Sequence, residues 1–214
     1  MRLLTNRFHL AGGCEIAFEV EPEATELARW IVDYFESQAD IGEKFWDGQT
    51  IDVGWSVLHL QQVGDDLVAH EPDFDSIPIR WCRGVNNTVR HLQLQKAVCD
   101  LFSCDPEFPS IRHAGIVSPK FADSHDFTMS RDVPSASDSG WVFAELGDGE
   151  KNGEYCSLYQ VALLKIEIVP FLALPATSQI RIGPGSIEVS LNGATKSSNN
   201  CELLRSLASS SIFV

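Results

Sequence analysis

Positive charge is scarce in this 214-residue sequence: 16 Lys and Arg stand against 30 Asp and Glu, leaving a net charge of -14. That balance repels phosphate backbones and anionic lipid, which excludes nucleic acid and membrane surfaces as expected partners. No apolar run approaches the length of a membrane span. The opening Met1-Arg2-Leu3-Leu4-Thr5-Asn6-Arg7 lacks the apolar core of a signal peptide, so a cytoplasmic protein is expected. Cys14, Cys82, Cys99, Cys104, Cys156 and Cys201 show no Cys-x-x-Cys spacing, and in a reducing compartment they read as small core residues, not a zinc or disulfide framework.

The motifs of catalysis are also missing. Gly183-Pro184-Gly185 has no strand-to-helix setting and no Lys-Ser or Lys-Thr, so it is not a phosphate loop. Neither Ser118 nor Ser139 sits in a Gly-x-Ser-x-Gly context. His70, Glu71, Asp73 and Asp75 are metal-capable and close in sequence, with His59 across a proposed hairpin, yet no ligand spacing of a helix is present. His91 lies beside Arg90 and reads as solvated or hydrogen-bonded. Without a converging acid, base or nucleophile, the expectation is a protein that is not an enzyme and that carries no cofactor or metal.

What remains is a well-patterned chain of 44% hydrophobic residues, enough for a core in one large domain or two small ones. Pro22 starts a helix in which Ala24, Leu27, Ala28, Ile31, Val32 and Phe35 recur at helical spacing to about Ala39. Alternation then predicts a strand from Thr50 to Leu58, a turn at Gly64-Asp65-Asp66 and an antiparallel partner from Leu67 to Glu71. Residues 70–79 read as an irregular acidic loop pinned by Pro72 and Pro78, and Asn86 or Asn87 caps a second helix through Phe102. The two prolines of Cys104 to Ser110 mark a boundary between an N-terminal domain over 1–106 and a second over 112–192. A Ser- and Asn-rich stretch over 193–214 reads as a mobile tail ending in a short apolar patch. The fold class expected is α+β, with small antiparallel sheets packed by helices in two halves.

The second half is built around a hairpin. Phe127 to Arg131 and Gly140 to Leu146 flank a polar turn, and Trp141 and Phe143 fall on one face of the second arm. A strand over Ala114 to Ser118 precedes it; a helix capped by Ser157, a short helical turn over Glu167 to Leu172 and a closing hairpin around Gly183-Pro184-Gly185 follow. Trp141 reads first as core and second as a partner-binding anchor, while Asp138 and Ser139 brace the turn.

Gly115-Ile116-Val117-Ser118, then Met129-Ser130-Arg131-Asp132-Val133-Pro134, then Asp138-Ser139-Gly140-Trp141-Val142-Phe143, with Tyr159, Ile168, Leu172 and Pro175 after them, make an ordered set of motifs. In this set residues 112–176 resemble the bacterial Imm33-like (DUF2185) family found among immunity proteins of polymorphic toxin systems. Ser130 stands where the family has an aromatic, and Asp132 where it has Glu. Gly48 to Trp55, Glu71 to Phe74 and His91 to Gln95 resemble, less specifically, segments found ahead of that domain. The resemblance implies a protein that binds and neutralises a cognate toxin.

Charge suggests how. From Glu15 to Asp75 the carboxylates recur while Arg29 and Lys44 are the only basic residues, a bias that reads either as a solvated face kept soluble by repulsion or as a surface suited to a basic partner. The partner-binding set expected is Asp65, Asp66, Asp73 and Asp75, together with Asp138, Trp141 and the loop carboxylates Asp148 and Glu150. A ligand-binding or regulatory module without a toxin partner is the alternative.

Overall fold

The computed structural model describes residues 1–4, 15–147 and 153–209. It divides into two units, Met1–Gln93 and Leu94–Val214, so the division falls inside the second helix; the sequence reading had put its boundary at residues 104–110.

In the first unit β1 (Arg2–Leu4), β2 (Ile16–Glu19), β3 (Thr50–Val53), β4 (Ser56–Val63), β5 (Asp66–Asp73) and β6 (Arg80–Arg83) form one sheet. Its order is β1-β2-β5-β4-β3, with β6 also paired to β5. Helix α1 (Thr25–Asp40) follows a 3-10 turn at Pro22–Ala24 and buries Ala28, Ile31 and Phe35. Phe35 meets Phe18 of β2 and Phe45 with ring centroids 5.1 Å apart in each case, which ties the helix to the sheet. The expected long strand from Thr50 is in fact two. Gly54 takes a positive φ of 61° as the first central residue of a two-residue turn, and the chain folds back so that Val53 faces Ser56. A Cβ there would also lie 2.2 Å from the Leu92 side chain. The segment expected as an acidic loop is shorter than read, because β5 runs on to Asp73 and pairs with β6.

Helix α2 (Asn86–Leu101) begins in the first unit and ends in the second. Its start is satisfied from a distance. The Glu71 carboxylate of β5 accepts the backbone N–H groups of Asn87 at 3.0 Å and Thr88 at 2.7 Å, donors that a helix terminus leaves free.

In the second unit β7 (Ala114–Val117), β8 (Phe127–Arg131), β9 (Asp138–Glu145), β10 (Glu154–Ser157), β11 (Gln179–Gly183), β12 (Ser186–Leu191) and β13 (Ala194–Ser197) form a sheet ordered β10-β7-β9-β8-β11-β12-β13. The hairpin of β8 and β9 and the closing hairpin of β11 and β12 are as expected. Helix α3 (Leu158–Leu164) opens on a reciprocal cap: Ser157 Oγ accepts from the Gln160 N–H while the Gln160 side chain accepts from the Ser157 N–H. A 3-10 segment, Ile166–Phe171, follows it.

The α+β class in two halves holds. The sheets, however, are mixed and not purely antiparallel, since β2 runs parallel to β5 and β7 runs parallel to β9. The expected Ser-rich tail is also revised. Residues 194–197 add β13 to the edge of β12, and α4 (Glu202–Ser209) buries Leu204 and Leu207. Spacing of three residues between those two leucines makes an amphipathic turn that the surrounding serines disguise in composition. The apolar patch at 212–214 lies outside the described residues.

Candidate functional site

Arg131, Asp138, Ser139, Gly140, Trp141 and Leu172 meet in one largely buried knot in the second unit. Arg131, at the end of β8, is nearly inaccessible to solvent. Its Nε donates to Ser139 O at 3.2 Å, and its Nη1 donates to Glu107 O at 2.9 Å and Leu174 O at 2.5 Å. The guanidinium also lies 5.6 Å from the centre of the Trp141 ring. Trp141 is 0% exposed and its Nε1 donates to Leu172 O at 3.1 Å. Ser139 Oγ donates to Ala114 O at 2.7 Å, and the Gly140 N–H donates to Asp138 Oδ1 at 2.8 Å. Gly140 itself is required: its φ is +76° and a Cβ would stand 2.2 Å from Asp132 O.

This corrects the partner-binding role expected for Trp141, which is core and has its one donor committed. Asp138 braces the turn through Gly140. Asp148 and Glu150 lie outside the described residues.

The acidic set of the first unit is not one site. Asp65 and Asp66 sit at one end of β5 and Asp73 and Asp75 at the other, ~23 Å apart at the usual rise of a strand. Asp66 pairs with Arg2 at 2.6 Å and Asp73 with Arg80 at 3.2 Å, while Asp65 and Asp75 are exposed. The metal-capable residues of the same strand are likewise committed: Glu71 to the start of α2, and His70 Nδ1 to Val68 O at 3.0 Å. His59 stacks on Trp81 with centroids 5.0 Å apart.

His91, expected to be solvated or hydrogen-bonded, is buried between Trp55 and Phe74, with ring centroids 5.6 and 5.4 Å away, and its Nδ1 has no hydrogen-bond partner. Burial, with Arg90 nearby, pushes its pKa down to about 3. Burial likewise pushes Glu71 up to about 7, although the hydrogen bonds from Thr88 and Asn87 pull it back toward the charged form. The cysteines divide. Cys99 is buried and its thiol is pushed up to about 12 chiefly by desolvation, whereas Cys82 on β6 is exposed, contrary to the core role read for it.

Two features went unread. On α1, Leu27 was expected in the buried stripe but is 38% exposed, and Trp30 is 40% exposed. At 100° per residue these two share a face with Tyr34, turned away from Ala28, Ile31 and Phe35, and the exposed carboxylates Glu26, Asp33 and Asp40 line its flank. The signal was present as a second apolar set at spacings of three and four residues.

The other feature is a cavity of about 460 Å³ in the second unit, walled by Phe127 of β8, Ile182 of β11, Ile187 of β12, Leu207 of α4, and Lys165, which follows α3. Lys165 is only 8% exposed, and its Nζ stands 5.5 Å from the centre of the Phe121 ring and 5.2 Å from that of Phe127. A lone cation inside Val161-Ala162-Leu163-Leu164-Lys165-Ile166 was its sequence signal.

Comparisons of the chain with protein-family models, curated proteins and solved structures return no match.

Proposed function

We propose that this chain is an immunity-type protein that neutralises a cognate bacterial toxin by covering part of its surface, and that the toxin presents a basic face. The observation that carries this reading is the exposed side of α1, where Leu27 and Trp30 lie near Glu26, which pairs with Arg29 at 3.3 Å, and Asp33, with Asp40 further along the same helix. Exposed tryptophan is the residue type most enriched at binding hot spots, and carboxylates around it steer a basic partner and set its orientation. The resemblance of residues 112–176 to the Imm33-like family supports the reading from the other unit. Arg131, Ser139 and Trp141 of its motifs are buried, which leaves recognition to other, exposed positions.

Growth rescue tests the proposal. The chain is co-expressed with the product of the adjacent gene, where that product alone arrests growth; rescue together with a stoichiometric complex is the expected result. Trp30→Ala should weaken the complex ~30-fold or more, the effect of losing a hot-spot anchor. Replacing Glu26, Asp33 and Asp40 by their amides should slow association and flatten its dependence on salt. Failure of the unaltered chain both to rescue and to co-purify overturns the function. Rescue with full affinity retained in Trp30→Ala overturns the surface.

A second reading, a ligand-binding module without a toxin partner, is favoured by one observation: the cavity beside Lys165.

A further inference from the structure

We propose that the cavity beside Lys165 binds a small molecule bearing a single carboxylate and an apolar body. This deepens the ligand-binding reading and does not rest on the toxin surface proposed on α1, so the two fail separately. Lys165 is enclosed as a residue, and its ammonium opens onto the cavity that it lines. Among the described residues the Lys165 ammonium has no hydrogen bond or ion pair, and its neighbours are the faces of Phe121 and Phe127. Two ring faces attract the charge only weakly and accept no conventional hydrogen bond. The ammonium's donors are left to water, or to a ligand group that displaces that water, in the cavity. Its volume, about 460 Å³, is that of a small-molecule site, and Phe127, Ile182, Ile187 and Leu207 give it the apolar wall such sites have.

Charge bookkeeping narrows the head group. Lys165 is the one Lys or Arg of the lining, which also includes Glu167 and His125. One ammonium balances one negative charge, and an acidic residue in the same lining disfavours a second. A monoanion fits; a phosphate monoester, which carries nearly two charges and calls for a cluster of donors, does not.

The probe is octanoate, titrated into the full chain by calorimetry and thermal melting beside octanol, acetate and octyl phosphate. Octanoate should bind at least tenfold more tightly than each of the others, raise Tm, and shift the methyl resonances of Ile182, Ile187 and Leu207. Lys165→Met, which keeps length and apolar bulk, should bring octanoate down to the affinity of octanol. Ala208→Phe fills the cavity from α4 with Lys165 intact, and should abolish binding of both, so the site remains testable even if the lysine variant unfolds. Binding of octanoate no tighter than octanol, preference for octyl phosphate, undiminished binding in Ala208→Phe, or no binding of any probe would each overturn the proposal.

Discussion

Glu71 and His91 are buried in the same unit and carry opposite pH dependences. Glu71 holds its proton up to about pH 7 in the fold, against an ordinary value of 4.5. The folded state therefore binds that proton more tightly, and the stability it confers is fully present below pH 4.5 and lost as pH rises toward 7. His91 stays neutral down to about pH 3 against an ordinary 6.5, so the unfolded chain takes up the proton first and stability falls as pH drops from 6.5 toward 3. Between pH 4.5 and 6.5 the two slopes oppose each other, each at most ~1.4 kcal/mol per pH unit. Glu71→Gln should then leave a protein that weakens on acidification across that window, and His91→Phe one that strengthens. Urea midpoints measured at half-unit pH steps check this; two variants tracking the unaltered chain would show that neither burial matters. Sequence alone placed His91 on a helix beside Arg90, but which side of that helix meets Trp55 and Phe74 depends on a tight turn at Gly54, separated from the helix by the three strands β4 to β6.

At the scale of elements, the hairpin of β8 and β9 was legible because its constraints are local. Alternation, a polar turn and Gly140 lie within a few residues of one another, and the fold agrees with them strand for strand. Gly140→Ala should destabilise the protein by ~2 kcal/mol or more, since the left-handed backbone and the close Asp132 carbonyl both reject a Cβ. A urea midpoint within experimental error of the unaltered chain would refute that. Period-two patterning failed at Gly54 for an instructive reason: Ile51, Val53, Trp55 and Val57 alternate through a turn, and the alternation carries no mark of the reversal. Composition misled in the last stretch as well, where serines concealed Leu204 and Leu207. The exposed side of α1 and the cavity beside Lys165 lay further out of reach. Helical spacing locates Leu27, Trp30 and Ile31 on the helix, but which of its two apolar sides meets the sheet is decided by Phe18 and Phe45. A cavity assembled from β8, β11, β12 and α4 has no single sequence window that contains it.

For the molecule as a whole, sign of charge was the most transferable reading, and it came from counting alone. What counting could not give was distribution: the carboxylates expected as one set occupy both ends of β5, while those beside an exposed tryptophan lie on a helix.

The last strand and helix have a further consequence, for self-association. Without β13 and α4, β12 would be the edge of the seven-stranded sheet: six residues long, apolar at Ile187, Val189 and Leu191, its backbone groups open to any other chain. The edge that replaces it, Ala194–Ser197, is four residues long and carries Lys196, a poor template for strand addition. A chain ended at Leu191 should therefore scatter light as soluble oligomers or fibrils under conditions where the full chain does not, and equal scattering by the two would contradict this. On that expectation β13 and α4, which serine-rich composition does not advertise, serve to keep the sheet from adding a second chain.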